Sequence, residues 1–361
     1  MHRFLMLDIG AGTLDILYHD AKSSLQYKAV VRSPVLTIAE KAAATTGNLL
    51  VRGVEMGGGS VSEMLKERAR QARVVISASA SATLHHDPDR VTSWGIEVLD
   101  DGEVEKYAKN PACAAYTTLT LGDLELERIE TIIRGFGVPF SFDVVGICAQ
   151  DHGVPPKAVS HLDFRNTLFK SHLEESPFPG RLLFRADEIP RAFNRLRCVA
   201  RSAAELPARE IYVMDSGMAA ILGASLDPLA AAKEKIMVLD LATSHTVGAT
   251  LEQGALAGFF EYHTRDITID RLESLMVELA DGKLEHRRIV QEGGHGAYIR
   301  KAVGFQSVEI IVATGPRRKL LEKSRFAVHP GAPLGDNMMT GTAGLFEAIR
   351  KRCDLEPLST W

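Results

Sequence analysis

The 361-residue sequence has only four cysteines, no net positive charge and no long apolar run, and each shortage removes a class of protein. The cysteines, at positions 113, 148, 198 and 353, are isolated, the nearest two being 35 positions apart. With no C-x-x-C pair, a zinc ribbon, a dithiol redox motif and a disulfide framework all lose support. Against 46 Asp and Glu stand 42 Lys and Arg, a formal charge of −4, so there is no basic excess to release counterions from DNA or RNA. No apolar stretch approaches the ~20 residues that span a bilayer. The opening run places Asp8 inside its only apolar stretch, unlike a secretory signal. Low-complexity tracts and coiled-coil heptads are absent as well. The composition, 45% hydrophobic, fits a cytosolic, globular, mixed α/β protein with about two domains and no nucleic-acid or membrane partner.

What is present is a repeated grammar of short strands. Phe4–Ile9, Leu14–Tyr18 and Leu25–Arg32 are strand-like, with turns at Gly10-Ala11-Gly12 and Asp20–Ser24. The same order returns as Met237–Leu241, Val247–Leu251 and Leu256–Tyr262, and laying Asp8 on Asp240 puts the two systems in register. A unit that occurs twice suggests a duplicated architecture, one copy per half. Between them, Ser60–Glu63 fits a capping box opening a helix. Leu126, Ile129, Ile133 and Phe136 make an apolar stripe before the strand Val144–Ala149. A helix is expected near Ile189–Glu205, a strand at Glu210–Met214, an amphipathic helix through Ile269–Leu279, a strand at Val308–Ala313 and a last helix at Gly341–Lys351. Residues 153–190, with five prolines and scattered charge, read as a loop-rich insertion. This gives lobes of residues 1–224 and 225–361.

Asp8-Ile9-Gly10-Ala11-Gly12-Thr13-Leu14-Asp15 carries the most chemistry. A strand ending in Asp delivers a carboxylate that can hold a hydrated magnesium ion, and the glycines let backbone N–H groups approach phosphate oxygens. The third glycine of a dinucleotide fingerprint is missing, since Asp15 and a strand follow, and no Walker A loop occurs. An ordinary hairpin turn has the same local form.

The octapeptide resembles the first phosphate loop of the actin-like ATPases, a superfamily that includes sugar kinases, DnaK-type chaperones and actin. The resemblance implies two ribonuclease-H-like halves (a duplicated βββαβαβα) with ATP and Mg2+ in the cleft between them. Asp8 and Asp240 would then flank the metal, with Gly10, Ala11, Gly12 and Thr13 on the phosphates. Four further patches follow in the expected order. Met214–Ala220 is similar to the first interdomain helix, whose leading acid, Asp215, would be the catalytic base or would orient water. Val238–Thr246 is similar to the second phosphate loop, which implies Ala242, Thr243, Ser244, His245 and Thr246 as nucleotide contacts. Ile311–Pro316 resembles the adenosine turn, bringing in Thr314, Gly315 and Pro316. Gly341–Gly344 resembles the closing interdomain helix. In two places the chain departs from the pattern: Ala242-Thr243-Ser244 replaces a glycine run, and Pro316 replaces a glycine. Each Cβ in the second loop crowds the approach to phosphate.

Read without the resemblance, Asp215 is equally well an N-cap for the small-residue helix after it. Arg317 and Arg318 sit at the start of a helix opened by Pro316, where cations are unfavourable unless an anion is near. Gly146–Gly153 resembles the G-x-x-x-Q-x-H-G segment of xylulose-type sugar kinases, which implies Gln150, Asp151 and His152 on the substrate side. His152, His245, His263 and His295 lie in turns; His152, His245 and His263 fall at strand ends facing the expected cleft, where convergence on a metal is open. Gly57-Gly58-Gly59 is a flexible turn or an anion cradle.

The expected function is ATP hydrolysis or phosphoryl transfer to a small hydroxylated substrate, the alternative being a non-catalytic nucleotide sensor or scaffold. The partner would be a small molecule or a protein, with homodimer formation open. The sequence also resembles a prokaryotic family of this superfamily sometimes labelled pyruvate formate-lyase activating enzyme. A radical-SAM activator needs C-x-x-x-C-x-x-C for its cluster, which this chain lacks.

Overall fold

A computed structural model describes residues 2–110 and 115–356. Cys113 lies outside them. The chain opens with an antiparallel meander of β1 (Arg3–Ile9), β2 (Thr13–Asp20) and β3 (Leu25–Arg32). There follow β4 (Asn48–Gly53), β5 (Val74–Ser77), β6 (Ile96–Leu99) and β7 (Tyr116–Leu121), then β8 (Phe142–Ala149), β9 (Leu183–Arg185) and β10 (Ala208–Asp215). The second half holds β11 (Lys235–Leu241), β12 (His245–Glu252), β13 (Ala255–His263), β14 (Gly296–Ile299), β15 (Ile310–Thr314) and β16 (His329–Pro330). The helices that position the site are α1 (Gly59–Ala69), α2 (Leu126–Gly135), α3 (His161–Glu175), α4 (Ser216–Ala224), α5 (Ile269–Ala280) and α6 (Thr340–Arg352).

Three sheets form. The first has the order β3-β2-β1-β8-β10-β9 and the second β14-β13-β12-β11-β15-β16. In each, a three-stranded meander is followed by parallel strands added beside its first member, the 3-2-1-4-5 order of a ribonuclease-H-like half. The duplication reaches into the turns: Gly10 donates its N–H to the Thr13 carbonyl at 3.0 Å, and Ala242 donates to the His245 carbonyl at 3.1 Å. The central parallel strands are buried on both faces, β8 throughout its length, which explains their nearly continuous apolar sequence.

The third sheet, β6-β5-β4-β7, is wholly parallel and has a core of its own. It belongs to residues between β3 and β8, so the main insertion into the first half lies there. Residues 153–190, expected to be loop-rich, contain the fifteen-residue helix α3 and the strand β9. The prolines stand outside that helix, and its N-terminus is capped by Ser160, whose hydroxyl accepts from Leu162 N–H at 3.3 Å. The capping box at Ser60 does not form either. Helix α1 starts at Gly59 with Gly58 as its N-cap and no side-chain cap. The helix expected after Pro316 is a 3-10 turn at Arg318–Lys323.

Helices α4 and α6 lie against each other between the two sheets, sharing one core with both. Their backbones touch at glycine. A β-carbon on Gly344 would run into the Ala219 carbonyl oxygen, and one on Gly223 into that of Thr340. A Gly341 β-carbon would likewise collide with Asp8 Oδ2. The glycines of Gly341-x-x-Gly344 thus set the helix crossing and make room for a cleft carboxylate. No helix among the described residues is long and apolar enough to cross a membrane.

Replacing Gly344 with Ala should destabilise the protein by about 1–3 kcal/mol or more, because backbone cannot yield as a side chain can. Gly102→Ala, where nothing lies within 4 Å of the added carbon, should be neutral or stabilising by a few tenths of a kcal/mol. Denaturant midpoints of the two variants test the contrast.

Candidate functional site

A cavity of about 860 Å³ lies where the Gly10–Thr13 and Ala242–His245 turns meet, walled on its far side by the third-sheet insertion. Its lining includes Asp8, Asp15 and Asp240, the turn Gly57–Gly59, Gln150, Asp151 and His152, and Gly315 and Pro316. Seven histidines line it as well: His85, His86, His152, His161, His245, His263 and His295.

Three carboxylates gather at the hairpin turns. Asp8 and Asp15 are directly opposed on β1 and β2, a like-charged cross-strand pair. Burial drives Asp8 up to about 7, with Asp240 and Asp215 adding repulsion against the lowering effect of a Cys148 hydrogen bond. Burial and then the charge of Asp8 drive Asp15 up to about 8. Asp240 is raised by burial to about 6, while its Oδ1 accepts from Thr314 Oγ1 at 2.9 Å. Asp8 Oδ1 and Asp15 Oδ1 are buried without any hydrogen-bond partner. Such orphaned acceptors are rare because each forfeits its hydration without replacement.

Asp215 has a different environment from the one expected of a free base. It caps α4, its Oδ1 accepting from Met218 N–H at 3.1 Å, while Arg165 Nη1 donates to its Oδ2 at 2.8 Å. Both oxygens are committed, and the residue does not line the cavity. Arg165 also forks onto Glu261, Nε to Oε2 at 3.0 Å and Nη2 to Oε1 at 2.6 Å, and donates to the Asp151 carbonyl at 2.7 Å. Its guanidinium lies 4.0 Å from the centre of the Phe169 ring. Burial disfavours its charge, yet Asp215 and Glu261 hold it well above its ordinary value.

Other expected contacts fall elsewhere. Thr246 points away from the cavity and meets Thr264 Oγ1 at 3.0 Å, since successive strand residues face opposite ways. Thr314 is fully buried and serves Asp240 rather than a ligand. Neither Arg317 nor Arg318 lines the cavity; Arg317 N–H donates to the Leu241 carbonyl at 2.9 Å, and Arg318 Nη1 donates to Gly331 O at 2.5 Å. Asp151 faces the cavity, but its oxygens accept from Gly153 N–H at 2.7 Å and Leu196 N–H at 2.9 Å, which ties the loop to a helix start. Thr243 is pressed against the first turn: a β-carbon built on Gly12 would stand 2.6 Å from its Oγ1.

The sequence reading missed two groups. One is Arg165, hidden in a segment read as loop; its position in the fold, not its neighbours in the chain, gives it meaning. The other is a chain of polar contacts on the insertion side. His86 Nε2 lies 3.0 Å from Glu55 Oε1, and His86 Nδ1 lies 3.1 Å from His161 Nε2. Burial lowers His86, but the hydrogen bond and charge of Glu55 carry it above its ordinary value. Burial and the neighbouring His86 and His85 drop His161 to about 4. The adjacent His85-His86 pair was the one available signal.

Two ribonuclease-H-like halves, joined by crossing helices and carrying facing acid-tipped hairpins, define the actin-like ATPase fold. Within it, the chain belongs to the family described as putative pyruvate format-lyase activating enzyme (DUF1786), whose model matches residues 56–320. No curated protein matches the sequence. Among solved structures, the chain is similar to the inorganic polyphosphate/ATP-glucomannokinase from Arthrobacter sp. strain KM, at 13% identity and TM-score 0.37, over 97% of this chain and 100% of that one. It is also similar to a ROK hexokinase from Thermus thermophilus, at 11% identity and TM-score 0.31, over 98% and 99%. The PilM-PilN type IV pilus biogenesis complex gives 12% identity and TM-score 0.36, over 98% of both chains. Likenesses at this level carry no argument about the reaction, and the fold rests on the strand order. Among the described residues the cysteines form no iron–sulfur ligand set: Cys148, Cys198 and Cys353 are each free.

Two outcomes follow from this electrostatic arrangement. Asp15, raised above its unfolded value near 3.8, retains a proton in the native state that the unfolded chain has released, so stability falls as pH rises from about 4 through about 8. Asp15→Asn should therefore gain melting temperature over the parent at about pH 9 and show little gain at about pH 4. Arg165→Met leaves two buried carboxylates unpaired and should cost about 3–5 kcal/mol, measured by denaturant unfolding.

Proposed function

We propose that the protein binds a magnesium nucleotide in the cleft, its phosphates between the Gly10–Thr13 and Ala242–His245 turns and its base toward Gly315 and Pro316. Asp8 and Asp240 would hold the hydrated ion. The observation that carries this reading is the unpartnered Asp8 Oδ1, buried beside Asp15 and under the influence of Asp240. Carboxylates at both turns form a hard-oxygen site of the kind magnesium takes through water. When bound, the ion would supply positive charge to neutralise the acids and phosphates.

The chemistry we favour is cleavage or transfer of the terminal phosphoryl group to water or to a small hydroxylated ligand. Asp215 is not the base in this reading, because it is buried outside the cavity lining, capping α4 and paired with Arg165. The Glu55–His86 pair faces the same cavity, and His86, held above its ordinary value by Glu55, can take up a proton there, with His161 kept neutral beside it. Positioning does most of the work in phosphoryl transfer, and the backbone N–H groups of both turns serve that role.

One observation favours the non-catalytic alternative. Thr243 fills the space against Gly12 in a loop without glycine, which narrows the passage for phosphate. A nucleotide sensor would tolerate this; a fast enzyme would not.

Magnesium with ATP or ADP should raise the melting temperature by several degrees, and Asp8→Asn or Asp240→Asn should remove the shift while leaving a folded protein. Absence of any shift with magnesium and ATP, ADP or GTP overturns the reading. A bound nucleotide with no phosphate release, in the parent and in Thr243→Gly alike, would select the sensor.

A further inference from the structure

Beside the second acidic turn, three imidazoles converge on one point. His245 opens β12 and His263 closes β13, and they are paired in register, so both rings leave the same face of the hairpin. His295 enters from the turn before β14, its backbone N–H fixed to the Glu261 carbonyl at 2.9 Å. Its Nε2 lies 3.2 Å from His245 Nε2 and 3.3 Å from His263 Nε2, and the three histidines bring ligand nitrogens within 4.8 Å of one another.

We infer that His245, His263 and His295 bind a zinc-class divalent transition-metal ion, with a further coordination position open to the cleft. The first support is metric. Metal–nitrogen bonds of about 2.0–2.1 Å at tetrahedral angles put neighbouring nitrogens about 3.3–3.4 Å apart, and the two contacts to His295 match that edge. The second is the outer partner. A ligating imidazole usually donates its other N–H to a neighbour that fixes the ring, and His295 Nδ1 lies 3.3 Å from His152 Nε2. The third is charge. Glu261, on the strand that ends in His263, shares Arg165 with Asp215, a group of two anions and one cation whose net negative charge favours a metal nearby.

Imidazole nitrogen selects zinc, iron, cobalt, nickel or copper over magnesium, so this site is chemically distinct from the oxygen donors proposed to hold magnesium. Three protein ligands with an open position distinguish catalytic metal centres from closed structural ones. All three rings line the cavity, and the remaining position therefore takes water or an oxygen anion, carboxylate or phosphate, of a molecule in the cleft.

The test uses full-length protein without a histidine tag, stripped with chelator and titrated with cobalt(II) and with zinc(II). Roughly one ion per chain should bind tightly, with the intense visible band of low-coordinate cobalt. His245→Asn and His295→Asn should each lose that band and at least about 100-fold in affinity while keeping the parent's circular dichroism. His152→Ala should retain the ion with affinity lowered about 10–100-fold. Asp8→Asn should still bind cobalt with the parent's spectrum, which separates this inference from the nucleotide reading. The inference is overturned if the parent binds no stoichiometric cobalt or zinc, or if folded His245→Asn and His295→Asn bind it as the parent does.

Discussion

Arg165 reaches from α3 to Glu261 on β13 and to Asp215 at the start of α4, and all three side chains are almost wholly out of water. Helix α3 belongs by sequence to the first half but docks on β14 of the second, where Asn166 Nδ2 donates to the Ala297 carbonyl at 2.8 Å. The guanidinium therefore ties the connection after β8, the first interlobe helix and the second sheet at one point. Buried charge of this kind is weak evidence for stability, since an apolar core of equal volume often serves as well. What it specifies is placement: the fork onto Glu261 admits one orientation, and that orientation fixes the wall of the cleft beside His263.

The same network decides which acids are available to a ligand. Asp215 and Glu261 share a cation, and each of their oxygens already accepts a hydrogen bond. Asp8, Asp15 and Asp240 are crowded together at the hairpin turns, and Asp8 and Asp15 each retain an oxygen without a partner. Polar capacity left unmet in a concave, walled space is where a charged ligand gains most, because the protein has already borne the desolvation. The cleft thus holds two chemically different donor groups, carboxylate oxygen at the tips of β1, β2 and β11 and imidazole nitrogen where β12 begins, β13 ends and β14 is entered, within a single cavity.

The hairpins were legible from the chain because each is a local statement. Alternating apolar residues broken by small turns specify a meander, and the spacing from Asp8 to Thr13 recurs from Asp240 to His245. Asp215 was half legible: its place between an apolar strand and a small-residue helix announces an N-cap, which it is, but gives no hint of Arg165 fifty residues earlier. A run of cations such as Arg317 and Arg318 invites an anion; the fold turns the Arg317 N–H and the Arg318 side chain onto protein carbonyls, and neither residue lines the cavity.

The sequence by itself determined the duplicated halves, the acids that tip β1 and β11, and the glycines that let α4 and α6 touch, since periodicity and residue size act over neighbouring positions. Only the tertiary structure decided that α3 clamps the second lobe, that Asp215 is engaged, and that His245, His263 and His295 meet. Those outcomes depend on contacts between residues far apart in the chain, whose distances are set by how the sheets and helices pack.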